Sequence, residues 1–353
     1  MRKTAAKLLA IAAIATSVAT VAAGTAVADP STLPTLPAAQ DIVGVGSDTT
    51  QSVLNGLSVG YNAALAAAGN TTSPRLYSWD ATGSSPITTK TGATSIARPN
   101  GSGAGITALD ANTSATVDFA RSSRAPQTGD LTTDLFVALA KDAVSWAAKN
   151  GGNAPADLST AQLKGIYECT ITNWQQISPS LANATIKPFL PQTSSGTRTF
   201  FLKTIGSGTP VVPGACVTSG TQENQGSDTA LNDVNAVVPY SVAHYVGQVY
   251  YGQGSGSDVQ GPLTVRSVNT IAPVDTVNKT IASGFASTTY GRVVYNVVRS
   301  ADWNAGDAHA TALKAIFGVG GYICTNGGAG STIVKNYGFL ALPNGACGST
   351  IHI

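Results

Sequence analysis

Short apolar runs alternate with apolar residues at helical spacing along this chain. Ile42, Val43 and Val45 form one such run, which predicts a strand closing in Gly46-Ser47-Asp48-Thr49. Leu54, Leu57, Tyr61 and Leu65 then recur with helical period, and Ser47 or Asp48 is placed to cap that helix. Residues 81–105 are rich in Gly, Ser and Thr and lead through Gly101-Ser102-Gly103-Ala104-Gly105 into a second helix carrying Ile106 and Leu109. Val117 to Ala120 predicts a strand that ends in Arg121-Ser122-Ser123-Arg124. Residues 136–146 are almost wholly apolar, so periodicity does not choose between helix and strand. Ser159 caps a helix bearing Leu163, Ile166 and Tyr167. Pro188 to Pro191 lead into Ser194-Ser195-Gly196-Thr197-Arg198, after which Phe200, Phe201 and Ile205 continue a helix. Residues 236–240 and 294–298 are further strand candidates, residues 310–317 a helix, and the Gly/Ser stretch 252–257 a crossing between lobes. Strands alternating with helices predict an α/β fold.

The first residues follow a different pattern. Arg2, Lys3 and Lys7 precede an apolar run over residues 8–23 and the small-residue site Ala26-Val27-Ala28. This is the form of a secretory signal peptide, so the expected product is secreted or periplasmic and starts near Asp29. No Cys lies beside the cleavage site, so no lipid anchor is expected. Removing the signal takes three of the 20 Lys and Arg and none of the 18 Asp and Glu. A near-neutral product with 11% charged residues argues against nucleic acid or a membrane surface as its main partner. Roughly 325 remaining residues exceed one ordinary domain, so two lobes are expected. The four cysteines reach an oxidising compartment. Cys169 with Cys216 and Cys324 with Cys347 are the favoured pairs, each joining near neighbours. A metal site fits less well, because no C-x-x-C occurs and the three histidines are scattered.

Candidate chemistry sits where strands or loops hand over to helices. Ser47 to Thr49, Ser102 to Gly105 and Ser195 to Thr197 share small and hydroxyl residues at a helix start. Such starts offer free backbone N–H groups and the positive end of the helix dipole. Glycine permits close approach and hydroxyls add donors, which together suit a small oxyanion. Arg121, Ser122, Arg124 and Arg198 lie beside these segments and could add charge and bidentate donors. Two enzyme signatures are absent: there is no Gly-Lys pair and no H-E-x-x-H. Asp118 and Asp130 read as a strand-end and a turn residue rather than an acid–base pair.

In order and content, these segments resemble the phosphate-binding protein family, the substrate-binding component of phosphate ABC transporters, over roughly residues 40–345. Gly44 to Thr49 is similar to that family's first anion loop, and Gly101 to Gly105 to its second. Residues 118–126 are similar to its third, and Ile171 to Trp174 to the tryptophan turn of its second lobe. Ser195-Gly196-Thr197 resembles its Ser-Gly-Thr clamp. The resemblance implies a two-lobed type II periplasmic-binding fold with a hinge and a ligand cleft between the lobes. It also implies ligand donors at Ser47, Asp48, Thr49, Ser102, Ser195, Gly196 and Thr197. Two positions depart from the pattern: Arg124 stands where the family keeps an aspartate, and Pro191 where it keeps an arginine. Asp48 is then the replacement acceptor, and Arg121 or Arg124 the replacement cation.

The organisation expected is a signal peptide over 1–28, a linker over 29–39, a first lobe from 40–130 plus 262–353, and a second lobe over 131–261. The function expected is reversible binding of phosphate or a related oxyanion by a monomer without cofactor or metal, with an ABC transporter permease as partner. A secreted phosphatase-like hydrolase using the same cradle is one alternative. A secreted surface protein that kept the fold without the ligand is another.

Overall fold

The computed structural model describes Pro30, residues 35–111 and residues 115–351. The signal segment lies outside the described residues, as do residues 29 and 31–34 of the linker. Ten strands build the main sheet. In chain order they are β1 (Ile42–Gly46), β2 (Leu76–Ser78), β3 (Phe119–Ser122), β4 (Asp134–Lys149) and β5 (Lys187–Pro191). They continue with β6 (Thr218–Thr221), β7 (Ala236–Ser241), β8 (Leu263–Val265), β9 (Gly291–Arg299) and β10 (Thr350–Ile351). The longer helices are α1 (Gln51–Ala67), α2 (Ser102–Ala111), α3 (Thr160–Tyr167), α4 (Gly196–Ile205), α5 (Val242–Tyr250), α6 (Ala308–Phe317) and α7 (Ala329–Asn336).

The strand order is β2-β1-β3-β9-β4-β7-β5-β6, with β8 and β10 also on β4. β1 is buried at every position and runs parallel to β2 and β3. Parallel neighbours need a crossover, and α1 supplies the one from β1 to β2. β9 comes from late in the chain and lies antiparallel between β3 and β4. At the other end β5 is parallel to both β6 and β7.

β4 is the segment that periodicity left open. It is a strand because both of its faces are covered, which removes the in–out alternation that marks a half-exposed strand. Residues 134–143 pair with β9, and residues 144–149 pair with β7 and β8. One continuous strand thus serves both ends of the sheet. The main apolar cluster runs along it, joining Leu54 and Phe119 to Trp146, Tyr167 and Phe201.

Local signals set the element ends. Ser159 caps α3 through a full capping box with Gln162. Asn173 caps the short turn Trp174–Gln176, and the buried Trp174 donates Nε1–H to Asn235 Oδ1 at 3.0 Å. Both expected disulfides are present: Cys169–Cys216, 47 residues apart, and Cys324–Cys347, 23 apart. No helix among the described residues is long and apolar enough to cross a membrane.

Candidate functional site

The loop after β1 carries Ser47, Asp48 and Thr49, all buried. Neither Ser47 nor Asp48 caps α1, contrary to the sequence reading. The helix begins at Gln51, and Thr50 holds the N-cap position without a side-chain bond. Ser47 and Asp48 sit too early in the loop for their side chains to turn back to the first helical N–H groups. Ser47 Oγ and Asp48 Oδ2 are instead buried without a hydrogen-bond partner.

The three predicted helix starts converge. Thr49 Oγ1 lies 2.9 Å from Thr197 Oγ1, which joins the starts of α1 and α4. The start of α2 meets α4 at Gly196. A Cβ there would come within 2.3 Å of Ser102 Oγ and 2.4 Å of Ser123 Oγ, so only glycine fits. Ser102 Oγ lies 3.2 Å from Ser123 Oγ and accepts the Ser123 N–H at 3.0 Å. The first loop and α2 also touch through backbone, since a Cβ on Gly105 would come within 2.6 Å of Gly46 Cα. Ser195 caps α4, its Oγ accepting the Arg198 N–H at 2.9 Å.

The residues placed beside these starts by sequence adjacency act elsewhere. Arg121 is fully buried and spends its guanidinium on the scaffold. Nε donates to Ser47 O, Nη2 to Gly46 O, and Nη1 to Trp79 O and Ser78 Oγ, at 2.7–3.2 Å. Burial lowers its pKa to about 10, so it stays charged at neutral pH. Arg124 forms a two-point ion pair with Asp130 at 2.6 and 2.7 Å. Ser122 Oγ donates to Arg124 O and closes that turn. Arg198 points to the strand edge, donating to Pro191 O and Ser219 Oγ. Motif alignment puts Arg124 at the third loop's acceptor position, but it is Ser123 that faces Gly196.

Two residues missed in the sequence complete the arrangement. Arg292, on β9, is the cation at the cradle. Its Nε and Nη2 donate to Asp142 Oδ2 at 3.0 and 2.7 Å, and Nη2 also donates to Thr197 Oγ1 at 3.0 Å. Its Nη1 is buried without a partner. Asp142 is held in turn by Ser241 Oγ and the Ala243 N–H at the start of α5. Glu223, in the loop after β6, accepts from the Thr49 N–H at 3.2 Å, from Thr49 Oγ1, and from Thr197 Oγ1 at 3.4 Å. Arg292 is one charge inside a hydrophobic strand and Glu223 one acid in a polar loop. Neither has a neighbouring motif that would mark it.

Charge at the cradle is mixed. Burial is the main cause that pushes the Asp48 carboxyl well above the usual range, with the charges of Glu223 and Asp258 adding to it. The shift is toward its neutral form, whereas the sequence reading gave it the role of acceptor. His244 fastens the same loop from behind. Its Nδ1 lies 3.1 Å from Thr49 O and its Nε2 2.5 Å from Asp258 Oδ1, while Ser52 Oγ donates to Asp258 Oδ2 at 2.6 Å. Burial opposes the imidazolium, but the Asp258 charge and hydrogen bond outweigh it and raise the pKa to about 9. A raised pKa stabilises the fold fully below the free-imidazole value and loses that contribution as pH rises through the folded one. Stability should therefore fall between about pH 6.5 and 9, by on the order of 3 kcal/mol. Thermal unfolding across that range should show the fall in the parent and a flatter profile in His244→Gln.

Helix starts from one α/β sheet that meet around buried hydroxyls and a cation define a solute-binding type of fold. A family model described as a PBP superfamily domain matches residues 21–315, and the chain belongs to that superfamily. The structure is similar to an ABC-type phosphate transport receptor from Vibrio cholerae at 18% identity and TM-score 0.55, covering 86% of this chain and 100% of that one. It is also similar to a phosphate-binding protein from Stenotrophomonas maltophilia at 16% identity and TM-score 0.51, covering 87% and 91%. The two-lobed α/β periplasmic-binding fold expected from the sequence is the fold of this chain. No curated protein matches the sequence.

Proposed function

We propose that this chain is an exported solute-binding protein that reversibly binds phosphate or a related oxyanion for ABC-type uptake. The observation that carries the reading is the meeting of Thr49, Ser102 and Thr197 at three helix starts, with Arg292 2.7 Å from Asp142 and 3.0 Å from Thr197. Hydroxyl and backbone donors aligned with helix dipoles hold an oxyanion without a covalent step. The likeness to proteins named for phosphate transport and phosphate binding supports the same reading.

In this reading Ser47, Thr49, Ser102, Ser123, Gly196, Thr197 and Arg292 contact the ligand, with Asp48 beside them. Ser195 holds the clamp by capping α4. The first lobe comprises 40–130 and 262–353 and the second 131–261, with β4 as the segment common to both sheet ends. Ligand contacts that span the cleft favour the closed form over the open one. The signal segment directs export.

Calorimetry against phosphate, sulfate, molybdate and tungstate tests the proposal. Binding of at least one is expected, and Thr197→Val should weaken it roughly 10- to 100-fold while the protein stays folded. Unchanged affinity would remove the clamp. No heat with any of the four would favour a surface protein that kept only the fold. Phosphate release from an artificial ester would favour a hydrolase.

A further inference from the structure

Glu223 uses the donors that an oxyanion would need. Its Oε2 takes the Thr49 N–H at 3.2 Å, the Thr49 hydroxyl, and the Thr197 hydroxyl at 3.4 Å. These groups lie at the starts of α1 and α4. The residue is 2% exposed, and its Oε1 is buried without a partner. Arg292 donates to the same Thr197 hydroxyl, so a cation stands one hydroxyl away from the carboxylate.

The loop that presents Glu223 is held on both sides. Before it, Gln222 Oε1 accepts from Asn100 Nδ2 at 2.9 Å, and Asn100 Oδ1 accepts from Gln192 Nε2 at 2.6 Å. After it, Asn224 O accepts from Tyr240 Oη at 2.6 Å and from Gln248 Nε2 at 2.9 Å. Asn224 takes a left-handed backbone with φ of 59°, which turns the chain sharply at this point. Asparagine is among the residues that tolerate that conformation best. Anchors on either side leave the carboxylate little choice of position.

A carboxylate presents two oxygens with acceptor lone pairs, much as one edge of a tetrahedral oxyanion does. We propose that Glu223 is an internal competitor, a carboxylate seated on the donors of Thr49 and Thr197 that an entering oxyanion must displace. The proposal rests on the oxyanion-binding reading of the same cradle. Affinity for the ligand is then reduced by the fraction of molecules in which Glu223 holds those donors. The competitor acts on every oxyanion alike, because it removes shared donors rather than reading one ligand's proton.

Calorimetry with inorganic phosphate and with sulfate on the full chain, on Glu223→Gln and on Glu223→Ala tests this. Removing the charge, and then the side chain, should tighten both anions tenfold or more, with the alanine variant binding at least as tightly as the glutamine one. Circular dichroism and a melting curve verify that each variant is folded. Weaker phosphate binding with sulfate unchanged would make Glu223 a ligand contact and overturn the competitor. Equal affinities in all three proteins would overturn it as well. If the parent binds phosphate and the variants bind no tighter, only this proposal fails. If neither the parent nor either variant binds any oxyanion, the binding function fails, and the competitor with it.

Discussion

Replacing Arg292 by methionine should destabilise the protein by about 3–5 kcal/mol and remove oxyanion binding at the same time. The stability loss comes from Asp142. That carboxylate is fully buried, and Arg292, 2.7 Å away, is its only ion-pair partner among the described residues. Ser241 Oγ and the Ala243 N–H would remain as donors, but they carry no charge to balance the carboxylate. The binding loss comes from Nη2 on Thr197 and from the buried, unpartnered Nη1. The double variant Arg292→Met, Asp142→Leu separates the two effects. Removing both charges together should recover most of the stability, as replacing a whole buried pair often does, without recovering affinity. Denaturant unfolding and calorimetry on the three proteins check this. A single variant that melts like the parent would show that Asp142 does not need its cation.

Arg121 should give the opposite division of effects. Its guanidinium holds three backbone carbonyls, at the end of β1 and in the loops that follow β1 and β2. Arg121→Met leaves Ser47 O, Gly46 O and Trp79 O to find other donors in a fully buried site. At about 1–3 kcal/mol for each unsatisfied group, the expected cost is several kcal/mol. The main effect is on folding, since the guanidinium points into the scaffold rather than toward Thr49 and Thr197. A variant that folds normally but binds an oxyanion more weakly would return Arg121 to the ligand set.

This contrast shows how far residue patterns reach. The convergence of Thr49, Ser102 and Thr197 was legible because hydroxyls and glycine at a helix start carry their chemistry in the local backbone. The arginines were not, because nearness in the chain does not give side-chain direction. Arg121 turns inward to carbonyls, Arg124 turns to Asp130, and Arg198 turns to the edge of β6. Arg292 acts on Asp142 and Thr197, 150 and 95 residues away, so no local pattern could reveal it. Glu223 reaches Thr49 across 174 residues for the same reason. The strand nature of residues 136–146 stayed hidden because burial on both faces erases the period of two. Helix ends were read well where a side chain caps them, as at Ser159 and Ser195. They were misread at α1, whose N-cap Thr50 makes no such bond.

Strand β9 has a consequence for when the sheet can close. It lies between β3 and β4, yet it comes from residues 291–299. The N-terminal third of the chain therefore cannot finish its own sheet, and its strands wait for a segment made near the end of synthesis. Non-local pairing of this kind slows folding, because a long loop must close before the contact rewards it. A chain emerging from the ribosome would stay incomplete until most of it had appeared. Under the export proposed above, such a delay keeps the polypeptide threadable until it has left the compartment where it was made.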